Sequence, residues 1–137
     1  MKPSISVSLL DLETRFRVQI KHAVAIGPGK ADILQAVAET GSIAQAGRRL
    51  GMSYQRVWSL VQAMNGHFVE PLVDTHRGGT AGGGARLTST GTEVLAVYRA
   101  LERDAQRAVA RRLPRLLALI RPDPAAEEDA QRRSSGR

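Results

Sequence analysis

The side chains best equipped for specific chemistry lie together between Tyr54 and Ser59. Gln55 carries an amide that donates and accepts at once, a pattern that matches the exposed edge of adenine. Arg56 carries a planar fork that matches the two acceptors of guanine. If the segment is helical, Tyr54, Gln55, Arg56 and Ser59 point to one side while Val57, Leu60 and Val61 point to the other. Such a helix has an apolar back and a hydrogen-bonding front, the front being suited to base edges in a major groove. A plain solvated face is the alternative for each of these residues. Ser42 and Ser53, each placed to open a helix, join the candidate set. So do Arg77 and Arg86, which flank a glycine-rich run and can meet phosphates.

Catalytic chemistry finds no comparable arrangement. His22, His67 and His76 have no metal-ligand spacing, and the chain has no cysteine to complete a site. The carboxylates are scattered, with no pair set in an apolar segment. Gly29-Lys30 fails as a phosphate-binding Walker motif, because Val24 stands where the first glycine belongs and Ala31 where Ser or Thr belongs. The glycine run 78–84 is followed by no Lys-Ser/Thr pair. The expectation is therefore no enzyme, no metal and no cofactor.

The reading residues need elements to hold them. Ser42-Ile43-Ala44-Gln45 has the form of a capping box and opens a helix ending at Leu50. Gly51-Met52-Ser53 makes a tight turn, and Ser53 caps a second helix over 54–65. Small residues stand where the two helices must touch (Ala46, Gly47), and Leu50, Met52, Val57 and Leu60 lock them together. This spacing predicts a helix-turn-helix. Trp58 is expected to pack against Phe68 and the preceding helix. Upstream, 14–26 alternates apolar and polar, with Phe16, Val18 and Ile20 on one face, which predicts a half-buried strand or a hairpin folded back near His22. The stripe Ile33, Leu34, Val37, Ala38 predicts a helix over 30–39. Downstream, 72–76 and 85–87 read as two strands around the glycines, a wing. Thr88 or Thr90 then caps a long helix. Val94, Tyr98, Leu101, Ala105 and Val109 run along it as a heptad-like seam, the candidate dimer contact. Pro114 is expected to kink or interrupt that helix, with a second short helix following.

The chain has 137 residues and a formal net charge of +7 with a pI near 11.0. All the basic residues but Lys2, Lys21 and Lys30 are arginine. A polyanionic partner fits that balance better than a neutral one. No run of residues is apolar enough to span a membrane, and the start lacks the features of a signal peptide. With the absence of cysteine, this leads us to expect a cytoplasmic protein.

Gly41-Ser42-Ile43 through Trp58, then Glu70-Pro71-Leu72-Val73, then Gly78 to Thr88 together resemble the DNA-binding domain of molybdate-responsive (ModE-type) regulators. That domain is itself similar to the LysR-type winged helix. The resemblance covers about 16–101 and rests most on Met52-Ser53-Tyr54 with Trp58 and the glycine-rich wing. It implies a mainly α fold with a small β wing and N-terminal strands: a winged helix-turn-helix followed by a long dimerisation helix. It also implies transcription control by a homodimer on double-stranded DNA, at an inverted-repeat operator. The expected divisions are an N-terminal lead (1–13), the winged domain (14–88), dimerisation helices (89–121) and a disordered tail (122–137). Only a short helix and a polar tail follow Leu113, so the chain looks like a stand-alone short form without a molybdate-binding domain. Direct sensing of an oxyanion and a protein-interacting winged helix are the competing readings.

Overall fold

A computed structural model describes residues 16–20, 23–76, 84–121 and 124–136. The chain divides into two compact units, 1–105 and 106–137.

The first unit begins with a small antiparallel hairpin, β1 (Val18–Ile20) and β2 (Ala23–Ile26), with an irregular register at Val18/Gln19. Phe16 and Val18 lean on the core while Arg17 and Gln19 are exposed, so the alternation in the sequence has become two faces. Helix α1 (Pro28–Thr40) starts with Pro28, whose fixed φ suits a first turn and whose missing N–H needs no partner there. It buries Ala31, Ile33, Leu34, Ala36 and Val37, and closes on Gly41, whose N–H reaches the Val37 carbonyl at 2.8 Å. Helices α2 (Ile43–Leu50) and α3 (Tyr54–His67) follow, and after them the antiparallel pair β3 (Val73–His76) and β4 (Gly84–Leu87), paired from Val73↔Leu87 to His76↔Gly84. Leu34, Val37, Val57, Val61, Met64 and Leu72 are fully enclosed where α1, α3 and the start of the wing converge.

Helix α4 (Ser89–Leu119) is capped by Thr88: its Oγ1 accepts from the Gly91 N–H at 2.9 Å and donates to the Pro71 carbonyl at 2.7 Å. Thr90, the other candidate cap, instead donates to Glu70 Oε2 at 2.6 Å. The first turn of α4 lies so close to Leu72 that a Cβ on Gly91 would stand 2.0 Å from the Leu72 carbonyl oxygen. Leu95 and Tyr98 are buried and Val94 is partly so, and Arg99 pairs with Asp32 of α1 at 3.0 Å.

Two expectations about the far end of the chain are corrected. Helix α4 continues through Pro114 to Leu119, so neither an interruption nor a separate second helix occurs there. A proline removes one backbone donor, and the helix-forming arginines and leucines on both sides carry the helix across the gap. The segment expected to be disordered contains helix α5 (Pro124–Ser135). Pro124 stands at its start, Glu127 lies in its first turn and Arg132 and Arg133 in its last, each sign complementing the helix dipole. Residues 125–136 are all exposed, so local propensity and end charges hold α5 without a core.

Candidate nucleic-acid interface

The turn between α2 and α3 sets the geometry of the site. A Cβ on Gly47 would meet the Met52 carbonyl oxygen at 2.7 Å, so only glycine lets the two helices cross this closely. Gly51 turns the chain at φ 66°, where a side chain is strained. The Met52 N–H closes the turn on the Gly47 carbonyl at 2.8 Å. Val57, Val61 and Met64 lock α3 from below, with Leu50, Met52 and Leu60 partly buried around them.

Held this way, α3 turns Tyr54, Gln55, Arg56 and Ser59 to the exterior, and all four are exposed. Ser53 caps the helix, its Oγ accepting from the Arg56 N–H at 3.2 Å; Ser42 caps α2 in the same way from Gln45 at 3.2 Å. Both serine oxygens are therefore engaged as acceptors, and each hydroxyl proton remains able to donate outward. Arg86 is exposed on β4 opposite Asp74. Arg77 lies outside the described residues.

The wing is tied to the helices at two places. The Ala85 N–H donates to the Gly41 carbonyl at 2.9 Å, joining β4 to the corner between α1 and α2. Asn65, at the last turn of α3, accepts from the N–H groups of Leu72 and Val73 at 2.8 and 3.2 Å and donates to the Val73 carbonyl at 3.2 Å. Between α2, α3 and the wing lies a cleft of about 460 Å³ whose lining includes Ser42, Tyr54, Trp58, Thr75 and His76. Trp58 is part of this surface, not of a contact with Phe68 as expected: it stacks on Tyr54 one helical turn before it. Phe68 packs separately against the core.

Spacing gave no sign of a second group, because its members are far apart in sequence. Arg17, Lys30 and Arg56 border one cleft of about 240 Å³ beside the start of α1. Partial burial lowers the pKa of the Lys30 ammonium. The cations thus extend from the α3 front toward the N-terminal hairpin. Arg49 is directed elsewhere, toward Glu39; the Glu39 carboxyl is held below its ordinary pKa first by Gln35 and then, against slight desolvation, by Arg49.

Among the expected seam residues, Val94 and Tyr98 are taken up inside the first unit. Tyr98 is 1% exposed and its hydroxyl donates to the Phe16 carbonyl at 2.8 Å, while Val94 packs against the core. These early turns of α4 close the domain's own core, which covers Tyr98 fully and Val94 in part. Leu101 and Val109 remain exposed on α4, Ala105 is half-buried, and Val97 adds an exposed apolar position beside them. Among the described residues no group of histidines and carboxylates could hold a metal ion, and no helix is long and apolar enough to cross a membrane.

Residues 30–92 match the family described as bacterial regulatory helix-turn-helix protein, lysR family. The chain is 44% identical over 77 residues to the molybdenum-pterin-binding protein MopB of Rhodobacter capsulatus, covering 56% of this chain and 28% of that protein. It is 36% identical over 107 residues to the molybdenum transport protein ModE of Azotobacter vinelandii, covering 75% of this chain and 40% of that protein. The chain thus spans less than half the length of these relatives. Among solved structures, a CbnR_DBD–DNA complex superposes with a TM-score of 0.50 and 28% identity, over 66% of this chain and 95% of that one. The helix-turn-helix spacing, the wing and these matches agree: residues 30–92 match the LysR-type helix-turn-helix family, and the chain is similar in sequence to ModE and Mop proteins.

Proposed function

We propose that this chain regulates transcription by binding double-stranded DNA in a sequence-specific way, as a homodimer on an inverted repeat. The observation that carries the reading is the exposed front of α3, with Gln55 and Arg56 free to face outward on a helix whose back is fully locked. Gln55 meets adenine and Arg56 meets guanine, while Ser42, Ser53, Arg77 and Arg86 meet the backbone. The net charge of +7 supplies the attraction to a polyanion. The likeness to a solved DNA-binding domain in complex with DNA supports the same assignment. Leu101, Ala105 and Val109 on α4 supply the apolar contact between protomers, with Val97 beside them.

The salt dependence of binding tests this directly. Basic side chains release condensed counterions from the phosphates they neutralise, so about five or six phosphate contacts give a log–log slope near −5. Fluorescence anisotropy on duplexes enriched from random sequence, titrated from low to physiological salt, measures it. A flat response removes duplex DNA as the partner.

A further inference from the structure

The front of α3 carries two aromatic rings where a solvated helix carries polar side chains. Trp58, the chain's one tryptophan, is 37% exposed, and Tyr54 is 54% exposed. Their ring planes differ by 8° and their centroids lie 6.5 Å apart, so the two rings lie parallel and side by side one helical turn apart. The pair is a preformed apolar shelf, and it opens on the cleft beside the wing, where Ile43 and Ala44 continue the apolar wall. Neither ring is needed to close the domain, because Val57, Val61 and Met64 already fill the back of the helix.

The surroundings select the occupant. Gln55 and Ser59 are exposed on α3, Arg56 is exposed on the flank of α3 that borders the other cleft, Arg86 stands on the wing, and the whole chain is strongly basic. An apolar protein surface is a poor match for that frame, and duplex DNA is a good one. A major groove offers hydrogen-bonding atoms at almost every position, and the apolar group that it presents at base pairs is the thymine C5 methyl. Resting on the DNA-binding reading above, we infer that the Tyr54–Trp58 shelf reads a thymine through this methyl. It is an apolar determinant beside the hydrogen-bonding pair Gln55 and Arg56. The operator half-site then contains at least one thymine recognised without any hydrogen bond to its edge.

Replacing thymines one at a time by deoxyuridine in a duplex selected from random sequence tests this. Deoxyuridine keeps the base pair and every hydrogen-bonding atom and removes only the methyl. At one or two positions of each half-site the wild-type protein is expected to lose about fourfold in affinity, the worth of one buried methyl-sized group. Trp58→Ala is expected to bind the thymine duplex more weakly and no longer to distinguish it from the deoxyuridine one. Tyr54→Phe, which keeps the shelf, is expected to retain the distinction. Both side chains are exposed, so the variants fold, and circular dichroism checks this. Wild-type protein that binds its selected site tightly but is indifferent to every deoxyuridine overturns the inference and leaves the DNA-binding reading standing. A deoxyuridine effect that persists in Trp58→Ala assigns the methyl to another residue and also overturns it. If no duplex sequence is enriched at all, both readings fall together.

Discussion

Arg56 and Arg86 are both exposed arginines, yet the fold holds them differently. Arg56 stands in the first turn of α3 with its backbone N–H held by the Ser53 cap, so its stem leaves a fixed helix. Arg86 leaves a two-stranded wing. Arg56→Ala is therefore expected to cost on the order of 1–3 kcal/mol at a specific site and to relax base preference at one position. Arg86→Ala should weaken specific and random duplexes alike, and competition binding against single-base variants separates the two patterns. Tyr98 makes a different residue-scale case. Burial foremost, then the nearby Glu102 carboxylate, raises the pKa of its phenol above the ordinary value. The folded state thus holds the proton more tightly than the unfolded one, so this contribution is complete below the unfolded pKa near 10 and is lost as pH rises through the folded value. Tyr98→Phe should destabilise by about 1 kcal/mol at neutral pH through the lost bond to Phe16. The gap to wild type should narrow in urea titrations above about pH 10; a gap independent of pH would contradict a buried neutral phenol.

At the scale of elements, the wing depends on anchors that its own strands do not provide. Two strands of 4 residues each are marginal alone. Asn65 binds both the N–H and the C=O of Val73 and the N–H of Leu72, so one side chain at the end of α3 fixes where β3 begins. Asn65→Ala leaves these part-buried backbone groups without that partner and should cost about 2 kcal/mol. Amide exchange should quicken most at Leu72 and Val73, and the wing's share of phosphate binding should fall. An exchange pattern unchanged at those two amides would show the anchor to be redundant. This clamp could not be read in the sequence, because an asparagine near a helix end is as often a simple cap or a solvated residue. The helix-turn-helix was legible for the opposite reason. Its glycine, small-residue and apolar positions all fall within one short window whose spacing is set by the turn itself.

At the scale of the whole molecule, the proposed contact with a second copy falls on α4. Its first turns are occupied, with Leu95 and Tyr98 buried and Arg99 bonded to Asp32 and Glu102. Val97, Leu101 and Val109 retain 53%, 40% and 36% of their surface, a helix-spaced apolar stripe along α4. Leu101→Asp places a carboxylate in the proposed interface with no partner for its charge. It should shift the protein from dimer to monomer in sedimentation at micromolar concentration, with the fold retained because Leu101 is exposed. Operator affinity should drop more than half-site affinity, since only the full site uses both copies. A wild-type protein that sediments as a monomer and binds full and half sites equally would sink the dimer proposal.

The sequence by itself determined the local architecture: period-two alternation before Gly27, two caps at Ser42 and Ser53, a turn at Gly51 and a polar front on α3 carrying Gln55 and Arg56. These follow from backbone sterics and hydrophobic periodicity, which act within a few residues. Tertiary structure decided what depends on neighbours distant in the chain. It set Trp58 on the exposed face of α3, stacked with Tyr54, rather than against Phe68, and grouped Arg17 and Lys30 with Arg56. It also drew Tyr98 from the seam into the core and packed one side of Val94 against it. An exposed and a buried aromatic look alike in a helical pattern, because burial is fixed by which other element covers that face. Thr88 rather than Thr90 became the cap for the same reason: Thr88 also reaches the Pro71 carbonyl, while Glu70 engages Thr90. Side-chain type sets which bonds are available, and the packed fold alone decides which of them are made.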